Sequence, residues 1–275
     1  MVSIDGRTPV TPRSRKIAAY LHQLRRDGGC IEELPADVRP TARPDAYAAQ
    51  ACLEAFSAHP LFGWKIAATS RAGQEHIRVG GPLAGRLFAE NAFPCGTEIS
   101  LAGNRMRVAE GEFAFRIGQD LAPRPHAYTR EEVAAAVAAL YPAIEVPNSR
   151  FAPFEAAGEA QLIADNACAE YFVLGARAPE HWRDIDLAGH AVSAMAGDGT
   201  LHRGLGRNVL GHPLDALAWI ANELSSLGVT LKAGQVVTTG TCFTPFGVRP
   251  GDRISVDFGV LGRVEARFAV DGAAP

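Results

Sequence analysis

Cysteines are few, and they form no framework. Cys30, Cys52, Cys95, Cys168 and Cys242 are odd in number and widely spaced, with no Cys-x-x-Cys pair. That excludes a zinc ribbon or a disulfide scaffold and points to a reducing compartment, the cytoplasm. No block of lysine or arginine is present either. The net charge of −3 and isoelectric point near 6.2 argue against nucleic acid or an anionic membrane as the main partner. No stretch approaches the ~18 apolar residues of a spanning helix, and Met1-Val2-Ser3-Ile4-Asp5-Gly6 contains no apolar signal core. Also missing are a Gly-x-Ser-x-Gly elbow, a His-Glu-x-x-His helix, internal repeats and low-complexity linkers. The eight histidines never fall at i, i+2 or i, i+4, which weakens a zinc reading. Gly204-Leu205-Gly206-Arg207 starts like a dinucleotide fingerprint but lacks its third glycine and reads as a turn. At 275 residues, 47% of them hydrophobic, the chain suffices for one large globular core.

Within that ordinary composition one stretch stands out, Val108-Ala109-Glu110-Gly111-Glu112-Phe113-Ala114-Phe115-Arg116-Ile117. As a strand it places Ala109, Gly111, Phe113, Phe115 and Ile117 on one face, and Val108, Glu110, Glu112 and Ala114 on the other. Two carboxylates then point the same way and repel, which a hard divalent cation with oxygen ligands would relieve. An isolated Glu-x-Glu is more often a solvated edge, so the reading needs a further acid. Ala143-Ile144-Glu145-Val146-Pro147 supplies one, since Glu145 between two β-branched residues is costly to bury unless paired or metal-bound. Phe62-Gly63-Trp64-Lys65-Ile66-Ala67-Ala68 is a short buried strand with Lys65 as its only charge. Lys65 is then either a desolvated base, a cation aimed at a substrate carboxylate, or a snorkelling surface residue. Asp165-Asn166 interrupts another apolar run and fits an Asx turn as well as a site role. Cys242 reads as a buried inert thiol. An oxygen-only shell favours Mg²⁺ or Mn²⁺ over zinc.

Helices are expected over 14–26, from Pro44-Asp45 to about His59-Pro60, and from His212-Pro213 to Gly228. The box Thr129-Arg130-Glu131-Glu132 opens another, with Val133, Val137 and Leu140 as its stripe. Short strands dominate after about residue 97, ending in a hairpin of Ile254, Val256 and Phe258 with Val264, Ala266, Phe268 and Val270.

Gly63-Trp64-Lys65-Ile66, Glu110-Gly111-Glu112, Ala143-Ile144-Glu145, Ala164-Asp165-Asn166-Ala167, Leu210-Gly211-His212-Pro213-Leu214, Thr239-Gly240 and Pro250-Gly251-Asp252-Arg253 occur in that order. As a set, covering roughly residues 15–270, they resemble the 2-keto-4-pentenoate hydratase and 4-oxalocrotonate decarboxylase branch of the fumarylacetoacetate hydrolase superfamily. The resemblance implies an α+β fold, a mixed β-roll over 96–275 preceded by a helical N-terminal portion over 1–95. It implies Glu110, Glu112 and Glu145 as ligands of Mg²⁺ or Mn²⁺, Lys65 as the catalytic and substrate-facing lysine, and Asp165 and Thr241 as substrate contacts. The implied activity is hydration of a small unsaturated 2-oxo or 2-hydroxy acid such as 2-hydroxypenta-2,4-dienoate, in meta-cleavage catabolism of aromatics. Decarboxylation of a 2-oxo-dioate such as 4-oxalocrotonate, C–C hydrolysis, and a stabilising subunit of a hydratase–decarboxylase complex are the alternatives. A homo-oligomer, with a pathway enzyme as a further partner, is implied as well. Two departures bear on the reaction. Leu83 stands where the hydratases carry an Asp, and no His-x-x-Glu dyad of the hydrolases occurs.

Overall fold

The computed structural model describes residues 3, 4 and 8–270. A short hairpin of β1 (Ser3–Ile4) and β2 (Thr8–Pro9) precedes α1 (Pro12–Asp27). The Thr11 hydroxyl accepts from the Ser14 amide at the start of α1, and Gly28 at φ 63° ends it, the left-handed stop that glycine makes cheaply. Ile17 and Leu21 form its buried stripe. The next helix, α2 (Arg43–Ala51), gives way to a 3₁₀ turn over Cys52–Phe56, and the short α3 covers Arg71–His76. Arg43 bonds Glu159 at 2.6 Å and Glu223 at 2.7 Å. It thereby ties α2 to α5 (Glu159–Ala164) and α6 (Pro213–Ser226).

Two sheets make the body. The larger runs β4 (Leu83–Phe88), β3 (Leu61–Ala67), β12 (Val236–Thr241), β7 (Val108–Ile117), β8 (Val137–Val146), β9 (Tyr171–Leu174) and β5 (Ala92–Pro94), with β13 (Phe246–Gly247) also on β7. The smaller runs β11 (Leu201–Leu205), β10 (Ala191–Met195), β14 (Arg253–Asp257), β15 (Arg263–Phe268) and β6 (Glu98–Ile99). The expected C-terminal hairpin is therefore the β14–β15 pair, Ile254 opposite Ala266 and Val256 opposite Val264. Strands β3 and β4 precede residue 95 yet belong to the same sheet as β7, so the sheet crosses the boundary drawn from sequence texture.

The apolar face of β7 packs between the sheets. Ala109, Phe113, Phe115 and Ile117 are buried there, and the Phe113 ring meets Phe258 edge-on at 5.1 Å. A Cβ on Gly111 would lie 2.6 Å from the Phe243 ring and 2.8 Å from Val256. Close inter-sheet approach thus requires glycine between the two glutamates.

One expected helix is shorter than its pattern. The capping box holds, with Thr129 and Glu132 bonded reciprocally, but α4 covers only Arg130–Ala135. Val137 begins β8, where it pairs with Ile117, and Leu140 pairs with Phe115. The alanine-rich run that favours a helix locally is overridden by its ladder on β7. Val133, Val137 and Leu140 are all buried even so.

Candidate metal centre

β7 and β8 are antiparallel in a register that sets Glu110 directly opposite Glu145. Glu112 lies two residues along β7 on the same face, opposite Ala143 on one side and Thr241 of β12 on the other. One carboxylate oxygen from each of Glu110, Glu112 and Glu145 lies within 4.8 Å of the others. Like charges opposite one another across a ladder oppose pairing, and here two of the three have no water to dilute them. Glu112 and Glu145 are fully buried and Glu110 is half-buried.

Few protein groups offset that charge. The Gly240 amide donates to Glu112 Oε2 at 2.8 Å, from a bulge where β12 gains a residue on β7 between Thr238 and Thr241. Gly240 takes φ 97°, and a Cβ there would sit 2.0 Å from the Thr69 hydroxyl, so the bulge requires glycine. Glu112 Oε1 and both oxygens of Glu145 are buried without a hydrogen bond. Lys65 Nζ comes within 3.4 Å of Glu145 Oε2 and donates to the Ala167 carbonyl at 3.1 Å. Strand β3 lies three strands from β8 in the sheet order, about 14 Å away if the sheet were flat. The 3.4 Å approach is possible because the sheet curls around this face.

Burial drives the Glu112 carboxyl up to about 8, reinforced by Glu110 and opposed by Lys65 and the Gly240 amide. Burial also raises Glu145 well above the carboxylate range, against the pull of Lys65. For Lys65 burial favours the neutral amine, but Glu145, Glu110 and Glu112 together outweigh it and hold the ammonium above its usual value. Of the readings the sequence left open, these neighbours favour the cation over the neutral base as long as the carboxylates carry their charge.

Three carboxylates converging with three orphaned oxygens fit a hard divalent cation, which takes oxygen ligands and discharges the repulsion. The donor set holds no sulfur or imidazole, so zinc has no preferred ligand among these residues.

Other expected positions have separate occupations. Asp165 is buried, its Oδ2 accepting from the Ser149 hydroxyl at 2.9 Å and the Arg150 amide at 2.7 Å. Its Oδ1 accepts from Arg150 Nε at 2.5 Å, leaving the carboxylate committed to the protein. Arg150 also bonds Glu170 at 2.8 Å, and that carboxyl falls below its usual range because Arg25 and Arg150 outweigh its burial. Thr241 reaches the site face by its register with Glu112, but its hydroxyl donates to Phe243 O at 2.7 Å. Leu83 is fully buried opposite Ala67, two residues from Gly85, which pairs with Lys65. An alkyl chain stands there on the Lys65 side of the sheet. Cys242 is buried and its thiol raised by desolvation and by Glu112, the inert state expected of it. Neither the Gly240 amide nor the Ala167 carbonyl is signalled by its own residue type, since backbone groups leave no such mark; their glycine and Asp-Asn neighbours are the only signal.

A curled mixed sheet that gathers three carboxylates defines an α+β fold with a candidate metal centre, and likeness to known proteins specifies which. Residues 83–269 match the family model for the fumarylacetoacetate (FAA) hydrolase C-terminal region, and the chain belongs to that family. It is 36% identical over 256 residues to 2-keto-4-pentenoate hydratase 1 of Dechloromonas aromatica, spanning 92% of this chain and 95% of that one. It is 32% identical over 214 residues to the 2-hydroxyhexa-2,4-dienoate hydratase of Comamonas testosteroni, 77% of this chain and 80% of that one. Among solved structures, 4-oxalocrotonate decarboxylase from Pseudomonas putida G7, complexed with magnesium and adipate, superposes with a TM-score of 0.86 at 27% identity, covering 96% of this chain and all of that one. The same decarboxylase has also been solved with calcium and acetate.

Proposed function

We infer that the protein is a divalent-metal-dependent hydro-lyase that hydrates a small unsaturated 2-oxo or 2-hydroxy acid of the 2-hydroxypenta-2,4-dienoate type. The observation that carries this is the set of buried, unbonded Glu112 and Glu145 oxygens beside Lys65, in a chain 36% identical to a 2-keto-4-pentenoate hydratase over nearly its whole length. Glu110, Glu112 and Glu145 would hold Mg²⁺ or Mn²⁺, as the magnesium-bound relative supports. When bound, such an ion supplies Lewis-acid polarisation of a 2-oxo acid.

The residues of the chain do the rest. An ammonium has three donors. Lys65 donates one to the Ala167 carbonyl and sits 3.4 Å from Glu145 Oε2 without a hydrogen bond to it, and no other acceptor is bonded to it among the described residues. A remaining N–H is the group that meets the oxygen or carbon where charge develops, as hydrogen-bond donor and proton source. The curled sheet keeps bulk water from Lys65, which is buried, so the contact is worth more than it would be in solvent. Asp165 serves better as an anchor of the turn after α5 than as a substrate contact, because its oxygens are taken.

Decarboxylation of a 2-oxo-dioate is the second reading, favoured by the close superposition on 4-oxalocrotonate decarboxylase and by an alkyl chain, Leu83, on the Lys65 side of the sheet. One assay separates the two. Protein stripped with EDTA and reloaded with Mg²⁺ or Mn²⁺ is given 2-hydroxypenta-2,4-dienoate and, separately, 4-oxalocrotonate. The expected result is hydration of the first without CO₂ release, abolished by chelation and restored by either ion. CO₂ from the second with no turnover of the first would replace the reading, and turnover indifferent to EDTA would remove the metal from it. The homo-oligomer and the association with a pathway enzyme belong to the same proposal, and sedimentation of the purified protein tests the former.

A further inference from the structure

The segment Asn166-Ala167-Cys168 takes φ of 59°, 50° and 61° in succession. Left-handed backbone is costly for residues bearing a Cβ, and three consecutive positions without glycine persist only if the surroundings impose them. The impositions are identifiable. Asn166 Oδ1 accepts from the Arg86 amide at 2.7 Å, and its Nδ2 donates to the Arg86 carbonyl at 2.8 Å. Its side chain thus grips both polar groups of one residue in β4. From the other end, Asp165 is fixed by Ser149 and Arg150, and Asn148 N bonds the Cys168 carbonyl at 2.8 Å.

What the turn delivers is the Ala167 carbonyl, the hydrogen-bond acceptor of Lys65. Gly85, next to Arg86, pairs with Lys65 across β3 and β4. A Cβ on Gly85 would stand 2.5 Å from the Asn166 carbonyl and 3.0 Å from Lys65 Cγ, so the turn and the lysine stem press together on one bare backbone position. With one N–H held on the Ala167 carbonyl and Nζ set 3.4 Å from Glu145 Oε2, the place of the Lys65 amine and the directions left to its other bonds are fixed.

We propose that Asn166 and Gly85 are positioning residues, which clamp the left-handed turn onto β4 so that the Ala167 carbonyl aims a free N–H of Lys65 at the ligand. Neither residue is near enough to a glutamate to be bonded to it among the described residues. The proposal concerns the lysine and leaves metal affinity alone. It rests on the proposed function only in taking Lys65 as the group that meets the substrate.

The test uses Asn166→Gly, which keeps a residue at ease with positive φ but deletes the clamp, and Gly85→Ala, which keeps the clamp but forces the turn away. Calorimetry with Mn²⁺ alone is followed by oxalate, a planar mimic of a 2-oxo acid's enolate, on the Mn²⁺-loaded protein. Both variants are expected to bind Mn²⁺ as the parent does and to bind oxalate about tenfold more weakly. With 2-hydroxypenta-2,4-dienoate, kcat should drop about 10- to 100-fold with KM little changed, as for a misplacement of about 1 Å in a reacting group. Unaltered oxalate affinity in folded Asn166→Gly overturns the proposal, and so does equal loss of Mn²⁺ and oxalate binding, or failure of Asn166→Gly to fold, each of which makes the turn a general support of the structure. A parent inactive on 2-hydroxypenta-2,4-dienoate counts against the proposed function instead, and the oxalate comparison still decides the role of the turn.

Discussion

Replacing Glu112 with glutamine separates the charge of the centre from its shape. The amide fills the same volume and still accepts from Gly240 through its oxygen, but it no longer adds a buried charge beside Glu110. We expect Glu112→Gln to lose at least about 100-fold in Mn²⁺ affinity, since loss of a direct ligand should exceed the 10- to 100-fold cost of altering an outer partner. The metal-free variant should melt no lower than the parent, because an uncompensated buried carboxylate has been removed. Calorimetry and a thermal melt in EDTA check the two halves, and a marked loss of stability would mean that Glu112 serves the fold. The carboxylates themselves were legible in the sequence, because a period of two between apolar neighbours fixes which side chains share a face. The partner of Lys65 was not. Glu145 lies 80 positions later in the chain, and only the order and curl of the strands bring them together. The protonation state of Lys65 was illegible for the same reason. Burial alone argues for a neutral amine, and the carboxylates that reverse it come from other strands.

Strand β3 has a single fixed contact line with β12, the parallel register of Val236 with Gly63 and Val237 with Trp64. A Cβ on Gly63 would fall 1.8 Å from the Val236 carbonyl oxygen and 2.7 Å from its carbon. Backbone cannot yield as a side-chain tip can, so Gly63→Ala should part β3 from β12 at a cost of about 3 kcal/mol, the upper range for overpacking. Because Lys65 follows two residues later on the same strand, activity should fall along with stability. Urea unfolding and a steady-state assay of one preparation test this, and a variant of unchanged midpoint would show that the strands can slide apart freely. Elements of this kind show how far local pattern reaches. The stripe of Val133, Val137 and Leu140 gave the burial of its residues correctly but not their conformation, since a ladder on β7 takes over at Val137. Asp165 was legible as a break in an apolar run. That its carboxylate would be consumed by Ser149 and Arg150, 15 or 16 residues upstream, was not, because a turn and a site look alike until the neighbours are known.

At the scale of the molecule, the proposed centre would link metal binding to folding. Its three carboxylates come from two strands of the larger sheet, and the lysine from a third with β12 between. The loop after β8 is tied to the turn after α5 and to the approach to β9 by buried ion pairs of Arg150 with Asp165 and Glu170. No short segment can therefore present the three carboxylates together, and an unfolded chain offers the ion only separate exposed glutamates. Binding to the folded state alone stabilises it by about 2.7 kcal/mol at a free ion concentration 100 times Kd. A chain of this size gains about 2–4 °C per kcal/mol, so saturating Mg²⁺ or Mn²⁺ should raise the melting temperature of EDTA-treated protein by about 5–10 °C. The shift should grow with the logarithm of ion concentration and vanish in Glu112→Gln. Folding without the ion leaves Glu112 and Glu145 with unbonded oxygens inside the sheet, where each must either hold a proton well above the usual carboxylate range or bear the other's charge, and a cation would relieve both. A melting temperature indifferent to divalent ions would break that link. The carboxylates would then be discharged by protons, and the shape of the sheet would owe nothing to a metal.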